Sequence, residues 1–381
     1  MMKSALPMLL LSLLSLLLLA PSTSDARTWL VRQDGSGDCT TIQACVTLAQ
    51  ARDSVLVFPG TYQEHIIVGA PILLVGESGS SATIIDGTNT GRCILLDEIA
   101  SPGVVVKGFT IRNGELMDYP GTFETANGAG IFSRGSVGIV AECVLEYIAG
   151  MSIGCDETSN MTIENNLMQE NYSTYVEPPY PVCGGGVITL SSNTFIQENT
   201  FINNMDEDVV IQACSPQVIR NRFLGTPYSG GIIGAGTAYI AENLFTNCHR
   251  AVSLWGNTEF TRNTVVNNRG TGVSVAAAYV PVISNNIITG NLTGISCSYG
   301  TPSMYCNDVW NNTKNYGCVE PSADSHLDPQ FCDAAGGDFH LNCTSPCANY
   351  SGCGQVGAFG VACGSTAVEE TTWGRVKSMF R

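Results

Sequence analysis

Three consecutive carboxylates, Asp206, Glu207 and Asp208, occur in a chain of 381 residues whose charges are otherwise thinly spread. Carboxylate oxygens suit calcium, so Asp206 and Asp208 are candidate ligands for that ion. The sequence has no EF-hand loop and no Gly-Gly-x-Gly-x-Asp repeat, and a solvated acidic turn is the competing reading. Hydrolysis of a glycoside needs two carboxyl groups across the sugar bond; Glu124 or Glu177 with Asp206 would supply such a pair, and Asp208 is a further candidate. Of the four histidines only His249 falls nearby, where an acid/base role and a plain structural one both fit. A Ser-His-Asp arrangement cannot be argued, because no G-x-S-x-G elbow is present.

A second group of residues suits binding rather than turnover. Tyr119, Tyr172, Tyr175 and Tyr180 lie in two polar, proline-containing stretches, with Tyr228, Arg250 and Arg269 further on. Tyrosine rings can stack on sugar faces, and arginines can pair with anionic groups. The plainer reading is that tyrosine and proline stiffen exposed loops.

Something must position these groups, and a repeat does so. Aligned on a central Asn, the phrases "TIENNLMQEN" (Asn166), "FIQENTFINN" (Asn199), "QVIRNRFLGT" (Asn221), "YIAENLFTNC" (Asn243), "EFTRNTVVNN" (Asn263), "VISNNIITGN" (Asn286) and "MYCNDVWNN" (Asn307) recur. Two earlier phrases carry Phe109 and Cys143 at that place. The spacing is close to 22 residues except at two steps about 11 longer, a solenoid signature. Each repeat holds short alternating strands and no segment long enough for a crossover helix. Strands must therefore coil directly from face to face and stack in parallel, about 4.8 Å per coil. Large apolar residues such as Ile196 and Phe201 form inward columns, while the Asn amides bridge neighbouring coils as a ladder.

Both long steps fall after the Asn strand, at "ELMDYPGTFETANG" (Glu115 to Gly128) and "NYSTYVEPPYPVCGG" (Asn171 to Gly185). Loops there would wall one side of the solenoid, and the same turn in later coils holds Asp206 to Asp208, Tyr228, His249, Arg250 and Arg269. Ser253, Ser274 and Ser296 would floor this row, with the acidic turn facing solvent.

The ends need covers. "TIQACVTLAQA", helix about 41–51, places Ile42, Cys45, Val46 and Ala49 on one face as an N-terminal cap. The Cys-rich segment 322–363 would close the other end of a solenoid running through 27–321. Residues 1–26 read as a secretory signal peptide, short for a membrane span and without a stop-transfer pattern. With sixteen cysteines, export and disulfide stapling follow; zinc is disfavoured because no CxxC pair is present. A net charge of −16 argues against nucleic acid as partner. Residues 364–381 form a polar spacer and a basic amphipathic tail with Trp373, Val376, Met379 and Phe380, read as a sorting or surface-attachment tag or a frayed terminus.

The opening "DGSGDCTTIQACV…DSVLVFPGTYQEHIIV", with "GFTIRNG" and the N-x-[FIV]-x-x-N repeats, resembles the secreted right-handed parallel β-helix proteins of the pectate-lyase-like superfamily. "DPQF…GGDFHL…SPC" resembles a closing segment of its bacterial members. The resemblance implies an all-β, single-stranded right-handed parallel β-helix and a polysaccharide partner. It transfers no catalytic residue: the signatures of methylesterases, polygalacturonases and Arg-x-Pro-x-x-Arg pectate lyases are missing. Three functions stay open: an exported monomer binding polysaccharide along the loop-walled side, a lyase or hydrolase in that groove, and a non-catalytic surface or adhesive rod. No cofactor is required, calcium at Asp206 and Asp208 being the one to consider.

Overall fold

A computed structural model describes residues 25–115, 128–156, 158–172, 185–190, 192–226, 228–276, 279–298 and 300–364. Tyr119, Glu124, Tyr175, Glu177, Tyr180, residues 1–24 of the expected signal peptide at 1–26, and residues 365–381 of the expected tail lie outside the described residues. Three long sheets make up the solenoid: a 12-stranded sheet A from Thr28–Val31 to Ser303–Tyr305, an 11-stranded sheet B from Gly60–Tyr62 to Asp308–Trp310, and an 11-stranded sheet C from Ile66–Val68 to Lys314–Tyr316. Every neighbouring pair within them is parallel, and each coil takes one strand from each sheet.

Short strands with one central apolar residue explain the interior. Ile163, Ile196 and Val218 stack inward from sheet A, and Met168, Phe201, Phe223 and Phe245 from sheet B, all buried. Phe201, Phe223 and Phe245 lie ring on ring, with centroids 4.9 and 4.5 Å apart and planes within 2° of parallel. Coil stacking thus enforces offset-stacked aromatic contact.

The turn from sheet A to sheet B is made by a left-handed residue followed by the ladder Asn: Asn165, Glu198, Arg220, Glu242, Arg262, Asn285 and Cys306 all have φ between 52° and 62°. A non-glycine residue there costs about 1–2 kcal/mol. The following amide offsets it. Asn243 Nδ2 donates to Val218 O at 2.8 Å and to Asn263 Oδ1 at 2.9 Å, while its Oδ1 accepts from the backbone N–H and Nδ2 of Asn221 at 2.8 and 3.1 Å. The ladder runs from Cys143, whose N–H reaches Asn166, to Asn307, which donates to Asp324. A second ladder, not expected from the sequence, occupies the turn from sheet B to sheet C through Asn171 and Asn204, then Asn268, Asn291 and Asn312.

The N-terminal cap is helix α1, Ile42–Leu48, ending about three residues earlier than expected because Ala49 is already extended. Ile42, Cys45 and Val46 are its buried face. Glu64 accepts from the first free N–H groups, Ile42 and Gln43. Gln43 in turn closes the open edge of sheet C: its Oε1 accepts from Ile67 N at 2.7 Å and its Nε2 donates to Ile67 O at 3.2 Å. Gln33 Nε2 likewise donates to Thr61 O on the edge of sheet B.

The Cys-rich segment does not simply plug the far end. Asp324 terminates the first ladder and accepts from Tyr316 Oη at 2.7 Å, and Ser325 pairs with Asp308. From there the chain folds back along the outer side of sheet B. Leu341, Cys347 and Val356 pack on Ile287, and Phe339 packs on Leu244 and Val266. These outward apolar residues would otherwise be wet, and their burial draws the segment sideways.

Disulfides join Cys39–Cys45, Cys297–Cys318, Cys306–Cys353 and Cys332–Cys363. The disulfides expected from the cysteine content are thus present, and seven other described cysteines are thiols. Cys93, Cys143 and Cys155 are buried in the solenoid, and burial pushes their thiols up to about 12, 11 and 12. They act there as small apolar residues.

Candidate functional site

The turn between sheets B and C is the row expected from the sequence. Backbone bonds place Asp206 beside Gly230, Ser229 beside His249, and Cys248 beside Arg269, coil upon coil. Tyr228 is 83% exposed, and His249, Arg250 and Arg269 are exposed as well. Tyr172 is half-buried, at the coil from which the longer of the two extra stretches leaves. Stacking therefore aligns Tyr172, Asp206, Tyr228, His249, Arg250 and Arg269 along one corner, about 4.8 Å per coil. His249 makes no side-chain hydrogen bond among the described residues.

Asp208 departs from the row. It is 1% exposed and points inward, where its Oδ1 accepts from Asn204 Nδ2 at 2.7 Å and its Oδ2 has no hydrogen-bond partner. The cause is a break in the second ladder: the next coil has Thr226 where an Asn would stand. Burial raises the Asp208 carboxyl well above the usual range. With Asp208 turned inward, the acidic turn does not present three carboxylates to solvent. Among the described residues no cluster of three or more His, Cys, Asp or Glu side chains could hold a metal.

Glu207 is the carboxyl that does reach the outer side. Its register neighbours are Gly185 and Gly230, and a Cβ at Gly230 would come within 3.1 Å of Glu207 Cγ, so the missing side chain makes room for the carboxylate. Burial first, then the neighbouring Asp206, raises its pKa, against the pull of Arg250.

Beyond this corner lies the outer face of sheet C, which changes character along the solenoid. In the middle coils Ile188, Leu190 and Val210 face away from the interior yet are buried, in a cluster with Met151 and Ile233. In later coils the same row reads Ser253, Ser274 and Ser296, as expected for the floor. The next outward position holds Trp255, then Ala276 and Ser298, whose N–H groups donate to Gly234, Leu254 and Val275 in successive coils. Trp255 is 44% exposed, and its Nε1 donates to Ser253 Oγ at 3.1 Å. It was missed in the sequence, although the period-two pattern of "AVSLW" puts it on the face of Ser253. Arg250, Thr293 and Lys314 border the other side of the floor. Elsewhere exposed cations are mostly spent: Arg220 and Arg262 pair with Glu198 and Glu242, Lys107 with Glu142, Arg134 with Asp97. Arg250, Arg269 and Lys314 make no ion pair among the described residues.

A family model described as right handed beta helix region matches residues 92–259. The chain is a right-handed parallel β-helix protein. Solved structures similar to this β-helix include pectate lyase Pel9A (14% identity, 89% of this chain and 97% of that one, TM-score 0.47), the Azotobacter vinelandii mannuronan C-5 epimerase AlgE4 A-module (13%, 72% and 74%, 0.45) and pectin methylesterase PemA from Erwinia chrysanthemi (10%, 83% and 95%, 0.37). No curated protein matches the sequence. No helix among the described residues of this β-helix is long and apolar enough to cross a membrane.

Proposed function

We propose that this β-helix binds polysaccharide on the outer face of sheet C, outside the cytosol. The observation that carries the reading is the concentration of unpaired exposed cations, Arg250, Arg269 and Lys314, beside a hydroxyl-rich floor on a protein of net charge −16. Cations left without partners on an acidic surface are available to carboxylate or sulfate groups. Exposed Tyr228 and half-buried Tyr172 add aromatic surface along the same corner. Four disulfides agree with an exported protein.

A glycan array probed with the mature protein tests the reading. Binding should favour anionic glycans, fall with salt, and weaken about tenfold in the triple variant Arg250→Ala, Arg269→Ala, Lys314→Ala; an empty array overturns it. Turnover is the second reading, favoured by Glu207, whose raised pKa beside Arg250 suits a proton-carrying group. Reducing-sugar and unsaturated-product assays on wild type and Glu207→Gln decide it: absence of product from every bound glycan leaves binding alone.

A further inference from the structure

The open part of sheet C's outer face and the recess at its end share Ser298. Resting on the carbohydrate reading above, we infer that they form one track for a short oligosaccharide of about two to three pyranose units, anchored on the indole of Trp255.

The track is bounded at both ends. Upstream of Trp255 the next coil carries half-buried Ile233 beside Ser253, and one and two coils further Val210, then Ile188 and Leu190, are already buried, with exposed Gln212 between them on the row of Trp255. Downstream they are Ser274, Ala276, Ser296 and Ser298, all small, so Trp255 stands as a step at the head of a shallow channel. The bond from its Nε1 to Ser253 Oγ holds the ring in one orientation. From Trp255 to Ser298 is two coils, about 10 Å along the axis. There the channel opens into a recess of about 350 Å³ lined by Cys297, Ser298, Thr301, Pro302, Met304 and Cys318, at the last coil of the solenoid. That volume is at the lower end for small-molecule sites.

The chemistry matches a sugar. A pyranose offers a C–H face to an aromatic ring and hydroxyl groups at its rim. Trp255 and the apolar recess, with Met304 and the Cys297–Cys318 disulfide, take the former; Ser274, Ser296 and Thr301 take the latter. A longer chain meets buried Val210 and Ile188 beyond Ile233 at one end and leaves the last coil at the other.

The mature full chain, titrated calorimetrically with galacturonate, mannuronate, xylose and glucose oligomers of one to six units, provides the test. For the series that binds, affinity should climb to the trimer and then stay flat within about twofold. Trp255→Ala should lower it at least tenfold, Trp255→Phe less, and Ser274→Leu should block the channel, all three melting like wild type. Affinity that keeps rising through the hexamer, or polymer binding unchanged in Trp255→Ala, overturns this inference and leaves the carbohydrate reading standing. No binding by any oligomer or polymer overturns both.

Discussion

Asp208 substitutes for a missing rung: its carboxyl meets Asn204 Nδ2 at 2.7 Å in the coil that precedes Thr226, where the ladder has no Asn. Burial there disfavours the charged form of the carboxyl. Its folded pKa is raised, so the folded state keeps a proton that the unfolded chain gives up. Below the unfolded value, near 3.8, both states are protonated and no stability is lost; above it, stability falls with rising pH until the folded pKa is reached.

Asp208→Asn should remove that loss. A tenfold difference in proton affinity between the folded and unfolded chain is worth about 1.4 kcal/mol, so the variant should exceed wild type at pH 8 by about 1–3 kcal/mol and match it near pH 3.5. Urea melts across that range check the sign; a wild type whose stability rises from pH 4 to 8 as steeply as the variant's contradicts it.

Asn243→Ala should cost about 1–3 kcal/mol. Its loss strands the Asn221 donors and the carbonyl of Val218 in the preceding coil and takes a donor from Asn263 Oδ1 in the following one. Thermal melts read the loss directly, and an unchanged Tm speaks against the ladder as a stabilising element.

Phe223→Ala removes the middle ring of a three-ring stack in a close-packed interior. The expected cost is about 3–5 kcal/mol, larger than for the Asn, because a cavity follows the lost contacts. Denaturant midpoints of the two variants should fall in that order.

Cys306→Ser frees the back-folded segment from the last coil. Asp308 is its other anchor, accepting from Ser325 Oγ at 2.8 Å and Leu327 N at 2.9 Å, with the Cys347 thiol raised by burial beside it. Cys306→Ser with Asp308→Ala should make residues 328–364 sensitive to limited proteolysis while the solenoid stays intact. Equal cleavage in wild type and variant rules this anchoring out.

What the sequence revealed followed physical repetition. A 22-residue period with apolar residues in fixed phase admits few packings, so the coil, the inward columns and the first ladder were readable. The second ladder was hidden because Ile148, Thr226 and Cys248 interrupt its Asn positions. Asp208 looked like a surface charge; only its register with the inward glycines Gly186, Gly231 and Gly272 marks it as internal. The sideways docking of the Cys-rich segment escaped notice since Leu244, Val266 and Ile287 adjoin true core residues and read as one apolar run. For the candidate face, the corner residues were found from spacing, whereas Trp255 required strand parity to be followed one residue past the strand.

Gln43 gives the fold a polarity. A stack of identical coils has no intrinsic length, since each finished rung is a template for another; with its side-chain amide on Ile67, Gln43 acts as a chain terminator at one end. At the other, no further strand among the described residues lies beside Ser303–Tyr305. The two ends therefore differ in how they meet an added strand: the Ile66–Val68 edge already has its backbone groups engaged by Gln43.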